Sequence, residues 1–163
     1  MLGEVLTATV TPFDAEGAVD YESYRELCAY LVDNGSDGVV VSGTTGESPT
    51  LSDDERVELL RAAIDAVGDR ATVLAGTGTN STAHSIHLTE QAHEAGADGF
   101  LVVTPYYNKP PREGVIRHFK AVASAPRRSR QSRILARSSS FASTSGRRRP
   151  PTSWPSRLSA ALI

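Results

Sequence analysis

The chain has 163 residues, enough for one ordinary domain, and a formal net charge of −2. Its only cysteine, Cys28, excludes an internal disulfide and favours a reducing, cytoplasmic location, in which the thiol would be a small core residue. The first residues lack the basic start and apolar stretch of a signal peptide, and no apolar run approaches the roughly 18 residues of a membrane span, so no membrane partner is predicted.

The net charge conceals two segments of opposite composition. Residues 1–125 hold all 19 acidic residues and only eight basic ones, whereas residues 126–163 hold nine Arg, no Lys and no acidic residue. The second segment fits a basic tail, a linker, or a non-native peptide from a reading-frame shift. Arg without Lys favours the last, so we expect an ordered segment 1–125 and a disordered or frame-shifted tail 126–163.

Strands and helices are predicted to alternate through the first segment. Apolar runs predict strands at 2–10, 39–42, 71–75 and 99–104. Helical periodicity predicts helices at 21–34, at 53–67, from Ser81 or Thr82 toward Gly96, and at 113–123. Asp20 is the expected N-cap of the first helix, and Ser52 with Glu55 forms a capping box for the second.

This order predicts an α/β fold with a buried parallel sheet. An open doubly wound sheet and the first half of a (β/α)8 barrel both fit the pattern. No Gly-x-Gly-x-x-Gly motif follows the first strand, and polar turns follow three separate strands, which favours the barrel. We therefore expect an incomplete TIM barrel of about four βα units.

The turn after the second strand is the first candidate site. Thr44 and Thr45 lie between Gly43 and Gly46, and their hydroxyl and backbone N–H groups suit a small carboxylate. A turn that only satisfies the local backbone fits equally well. Glu47 is expected to have a structural role.

A second candidate is the tyrosine pair in the loop after the fourth strand. The hydroxyl of Tyr106 or Tyr107 can relay a proton to a neighbouring hydroxyl, or the rings can anchor a subunit contact. His84 and His87 have helical spacing without a third ligand, so no metal site is predicted. The Gly-rich run 76–80 lacks the Lys-Ser/Thr ending of a P-loop and is expected to shape the rim of the sheet.

Three motifs together resemble the dihydrodipicolinate synthase family, now called the 4-hydroxy-tetrahydrodipicolinate synthase family. They are GTTGE at 43–47, GTGTN at 76–80 and TPYYNKP at 104–110, and the resemblance spans residues 2–125. It implies a homo-oligomeric (β/α)8 lyase, commonly a tetramer of tight dimers. Such enzymes condense pyruvate with aspartate semialdehyde in lysine and diaminopimelate biosynthesis, through a Schiff base on a barrel lysine and without a cofactor.

The resemblance also implies roles for individual residues. Thr44 would belong to a hydroxyl relay for protons, and Thr45 would bind the pyruvate carboxylate. Tyr107 would cross the dimer interface and join the relay of the partner subunit. A related pyruvate aldolase similar to N-acetylneuraminate lyase stays an alternative, as does a non-catalytic half-barrel assembly module.

The chain departs from the family pattern after residue 125. The Schiff-base lysine and the second relay tyrosine are both missing, and the only lysines are Lys109 and Lys120. We expect the isolated chain to be inactive, and to aggregate or pair with a second half-barrel because its first and fourth strands are open edges. Only Phe141 and Trp154 accompany the arginines of the tail, so no nucleic-acid partner is predicted.

Overall fold

A computed structural model describes residues 2–125 and, for the backbone alone, Arg133–Arg137. The strands are β1 Leu6–Ala8, β2 Gly38–Val41, β3 Thr72–Gly76, β4 Gly99–Val103 and β5 Arg133–Arg137. The α-helices are α1 Tyr21–Asp33, α2 Asp53–Val67, α3 Thr82–Ala95 and α4 Arg112–Ala123, and a 3₁₀ helix spans Ser48–Thr50.

The order of the strands identifies the architecture. The sheet runs β1-β2-β3-β4-β5, and every neighbouring pair is parallel. Since crossovers between parallel strands are right-handed, strands that follow one another in order place their helices on one face. Helices α1 to α4 accordingly pack in sequence, each against the next. A doubly wound sheet would reverse its strand order, so this is the TIM-barrel arrangement, as predicted.

Strand β5 corrects the prediction that the fourth strand is an open edge. All five residues of β4 pair in register with Arg133–Arg137. The sequence did not predict this strand because its apolar part, residues 134–136, is too short to show a period. These three residues also lie between two arginines in a Ser- and Arg-rich segment. The remaining residues of the predicted tail lie outside the described residues, so their disorder or frame-shifted origin stays a prediction.

The first strand is shorter than the predicted span 2–10. The carboxylate of Asp37 accepts hydrogen bonds from the backbone N–H groups of Glu4 and Val5, at 2.7 and 2.8 Å. Gly3 adopts a φ of 88°, which turns the chain before it can pair. Pairing with β2 therefore begins at Leu6.

The helices match their predicted positions closely. Helix α2 has the predicted bounds, and the reciprocal capping box between Ser52 and Glu55 is present. Asp20 caps α1 by accepting from the N–H groups of Glu22 and Ser23. Such local side-chain bonds fix a helix start because they satisfy N–H groups that lack an intrahelical acceptor.

One apolar core fills the space between the sheet and the helix layer. Its fully buried members include Tyr24, Cys28, Val39, Leu59, Val73, Phe100 and Val122. The expected core position of Cys28 is confirmed, and burial raises the pKa of its thiol to about 11. Of the described helices, none has both the length and the apolar character needed to traverse a bilayer.

Candidate functional site

A cleft of about 90 Å³ lies where β2, β3 and β4 end. Because parallel strands have their carboxyl ends at one edge, the turns that follow them converge there. The cleft is lined by Ser42, Gly43, Thr44, Ser48, Pro49, Arg56, Gly76, Gly78, Thr79, Leu101, Val103 and Tyr106. The lining thus combines hydroxyl groups, one guanidinium and an apolar wall.

The turn after β2 is held by its own backbone. The carbonyl of Gly43 accepts from the N–H groups of Gly46 and Ser48, at 3.1 and 3.4 Å. The Thr11 hydroxyl donates to the Gly46 carbonyl at 2.7 Å, which ties the turn to the loop after β1. Ser42 and Glu47 both have a positive φ, 53° and 55°. Non-glycine residues rarely adopt this conformation, so the surrounding bonds must enforce it.

The turn after β3 packs tightly against both neighbouring strands. A Cβ on Gly76 would stand 2.2 Å from the Ser42 carbonyl oxygen, and one on Gly78 would stand 2.2 Å from the Val103 nitrogen. The hydroxyls in this turn are buried and bonded, since Thr89 donates to Thr77 at 2.8 Å and Thr79 contacts Ser85 at 3.2 Å. The motif therefore shapes the rim of the cleft, as the sequence predicted.

The predicted site residues are only partly brought together. Thr44 lines the cleft, whereas the exposed Thr45 does not. Tyr106, which is 43% exposed, also lines the cleft. Tyr107 is 92% exposed, has a φ of 66° and lies outside the lining. The roles predicted for Thr44, Thr45 and Tyr107 stay predictions.

Arg56 is the main cleft residue that no sequence motif indicated. Its Nη2 donates to the Ser48 carbonyl, which fixes the side chain across the start of the 3₁₀ helix. Burial lowers the pKa of the guanidinium, and the nearby Asp53 partly offsets this. Arg56 precedes the buried Leu60 by one helical turn, so the period of α2 already places it on the inward face.

His84 and His118 take part in structural contacts. His84 Nε2 lies 2.9 Å from both carboxylate oxygens of Asp53, linking α3 to α2. His118 is buried, and its Nδ1 forms a 2.9 Å hydrogen bond with the Thr82 hydroxyl. Burial lowers the pKa of His118. Across residues 2–125, no three His, Cys, Asp or Glu side chains are grouped as metal ligands.

Solved structures are similar to this chain in fold and, to different degrees, in sequence. Dihydrodipicolinate synthase DapA-2 from Bacillus anthracis matches with a TM-score of 0.79 and 45% identity, over 84% of this chain and 46% of that one. CdNal from Clostridium difficile, solved with mannosamine, matches with a TM-score of 0.76 and 25% identity, over 83% of this chain and 46% of that one.

Curated relatives match in sequence over the same region. The 4-hydroxy-tetrahydrodipicolinate synthase of Acidothermus cellulolyticus is 63% identical over 123 residues, which is 76% of this chain and 40% of the relative. A second, from Streptomyces coelicolor, is 59% identical over 76% of this chain and 41% of the relative. The chain thus spans about two fifths of the length of these relatives. Since the sequence profile of the Dihydrodipicolinate synthetase family matches residues 1–129, the chain belongs to that family.

Proposed function

We propose that this chain carries one half of a 4-hydroxy-tetrahydrodipicolinate synthase pocket and is catalytically incomplete by itself. The complete enzyme would be a cytoplasmic homo-oligomer that condenses pyruvate with aspartate semialdehyde in lysine and diaminopimelate biosynthesis. The observation that carries the proposal is the position of Thr44 in the cleft, at the carboxyl edge of a barrel sheet. TIM-barrel enzymes place their chemistry at that edge.

The available groups suit part of this reaction. The Thr44 hydroxyl can accept and donate a proton, which is what a relay to a bound substrate requires. Thr45 and the N–H groups of the same turn would hold the pyruvate carboxylate. The exposed ring of Tyr107 would reach the relay of a partner subunit, since 92% of its surface is accessible in this chain.

The missing group is the amine that would form the Schiff base. A nucleophilic lysine needs a neutral amine, which proteins obtain by burying the side chain or placing another cation beside it. The two lysines in the sequence are Lys109, in the loop after β4, and Lys120, on α4, and both are exposed. Neither lines the cleft, so pyruvate bound there would meet no amine from the described residues.

The synthase reaction is favoured over that of a sister aldolase. Two curated relatives that bear the synthase name are 63% and 59% identical to this chain, whereas CdNal is 25% identical. Among the solved structures, the Bacillus anthracis synthase is 45% identical to this chain and CdNal is 25% identical, although their TM-scores are similar. The higher identity to synthases therefore supports the synthase reaction, whereas the shared fold does not by itself distinguish one reaction from another.

Trapping with borohydride tests the missing amine. The full chain is incubated with pyruvate and sodium borohydride, and the mass of the intact protein is measured. No adduct is expected, because no desolvated lysine faces the cleft. A complete synthase treated in the same way is the positive control, and an adduct on Lys109 or Lys120 would refute the proposed incompleteness.

Complementation tests the role of the cleft. The full chain is coexpressed with the carboxyl-terminal part of the Acidothermus cellulolyticus relative, and condensation of pyruvate with aspartate semialdehyde is assayed. We expect restored activity that falls by roughly 100-fold or more in Thr44→Val, as for loss of a proton-transfer group. Thr72→Val is the matched control, since Thr72 lies at the opposite end of β3 and should leave the activity unchanged. Equal activity of Thr44→Val and the unaltered chain would remove Thr44 from the relay.

A further inference from the structure

A second, smaller cavity of about 20 Å³ lies next to the cleft, between β2, β3, α2 and α3. Most of its wall is apolar and includes Val57, Leu60 and Leu88. Ser42, Arg56 and Gln91 also line it. This cavity adjoins the cleft, and Ser42, Arg56 and Gly76 contribute to both.

Three buried polar atoms belong to those three side chains. Ser42 Oγ, Arg56 Nε and Gln91 Oε1 are all shielded from solvent, and none has a hydrogen-bond partner among the described residues. Leaving a buried polar atom unpaired is energetically costly, so native proteins rarely tolerate several in one place. Their meeting around one cavity indicates a shared bonding partner inside it.

The three atoms have the hydrogen-bonding character that a water molecule matches. Arg56 Nε–H can only donate, Gln91 Oε1 can only accept, and the Ser42 hydroxyl can do either. A cation would be repelled by the guanidinium, and an anion by the amide oxygen. A cavity of more than about 10–15 Å³ with two to four polar partners is able to hold one water.

We propose that a single internal water molecule binds in this cavity. It accepts a hydrogen bond from Arg56 Nε–H, donates one to Gln91 Oε1 and shares a third with the Ser42 hydroxyl. Three bonds are the usual number for a buried water. The proposal rests on the cavity and its polar atoms, and not on the proposed enzymatic function.

This water would join the end of β2 to two helices. Ser42 holds a φ of 53° at the start of the turn that carries Thr44, and Arg56 is already bound through Nη2 to the Ser48 carbonyl. A water bonded to both side chains would hold the start of this turn against α2.

Crystallography of the full chain is the direct test. We expect one ordered water within about 2.7–3.2 Å of all three atoms. A cavity without density, or side chains rotated into direct bonds with one another, would overturn the proposal. A crystal soaked in bromide is measured as well, since an anomalous peak in the cavity would show an anion site and contradict the assignment.

A double-mutant cycle tests the same water in solution. Ser42→Ala and Gln91→Met each remove one bond to it, and urea unfolding gives the unfolding constant of each variant. The first substitution already weakens the binding of the water. The second substitution should therefore destabilise the chain less when the first is present than when it is made alone. If the two effects were independent, their factors on the unfolding constant would multiply. We expect the unfolding constant of the double variant to be at least about threefold smaller than that product.

A matched pair of variants provides the control. Ser85 is also buried, but it bonds to Thr79 and does not line the cavity. Ser85→Ala combined with Gln91→Met should therefore give a multiplicative effect. If the effects of Ser42→Ala and Gln91→Met also multiply, the two side chains do not share a water. If a variant does not fold, the crystal structure of the unaltered chain decides the question.

Discussion

The two edges of the sheet use their polar residues differently. At the amino edge, Asp37 accepts from two backbone N–H groups, and Asp98 accepts from the Val73 N–H at 2.9 Å. At the carboxyl edge, polar side chains such as Thr44 and Arg56 line an open cleft. Carboxylates thus fasten the backbone at one edge, while the other edge keeps groups available for a ligand.

This difference separates stability from function within one small sheet. The backbone bonds lower the pKa of Asp37, so its contribution to stability is present above its unfolded pKa and is lost as the pH falls through the folded value. The turns of the carboxyl edge depend instead on close backbone packing at Gly76 and Gly78. Substitutions at the two edges should therefore change the stability by different mechanisms and by different amounts.

The largest effect is expected at the carboxyl edge, from Gly76→Ala. The new Cβ would stand 2.2 Å from the Ser42 carbonyl oxygen, a backbone atom that cannot rotate away. We expect a loss of more than about 4 kcal/mol in the free energy of unfolding, measured by urea denaturation. Gly43→Ala is the control, because its Cβ would meet nothing closer than 3.9 Å. Similar stability of the two variants would show that the turn shifts freely.

A moderate effect is expected at the amino edge, from Asp98→Ala. The substitution leaves the Val73 N–H without its side-chain acceptor at the start of a buried strand. We expect a loss of about 1–2 kcal/mol in the free energy of unfolding. Asp98→Asn keeps an acceptor oxygen and should lose less. If the Asp98→Ala variant is as stable as the original chain, the hydrogen bond that Asp98 accepts from the backbone does not stabilise this edge.

The smallest effect is expected from His118, and it depends on pH. Because burial lowers its folded pKa, the unfolded state binds a proton more readily below an ordinary histidine pKa of 6.5. Stability is therefore lost as the pH falls below that value. His118→Gln should show a smaller drop in urea midpoint between pH 7.5 and 5.5 than the unaltered chain.

The exposed His87 supplies the control for this measurement. His87→Gln makes the same change at an exposed position and should keep the pH-dependent drop. Hydrogen bonds lower the pKa values of Asp20 and Glu55 from their ordinary acidic range, so these carboxylates do not interfere between pH 7.5 and 5.5. An unchanged drop in His118→Gln would assign the acid sensitivity to another group.

Local features of the sequence predicted much of this architecture. The bounds of α2 followed from its capping box and helical period, and the barrel class followed from alternating strands with polar turns. The sequence also predicted a candidate site in the turn 43–47; Thr44 lines the cleft, and the role of the turn stays a prediction. The helix bounds and the turn are predictable because each depends on residues within about one helical turn of one another, and the barrel class is predictable because the same local patterns repeat along the chain.

The amino-acid sequence by itself determined the family, the helix starts and the motifs that carry hydroxyl groups. Only the tertiary structure decided that β5 covers the edge of β4, that Tyr106 rather than Tyr107 faces the cleft, and that Arg56 meets Ser42 and Gln91 around one cavity. The physical reason is distance along the chain. Strand pairing and burial join residues tens of positions apart, and no local pattern records which of them will meet.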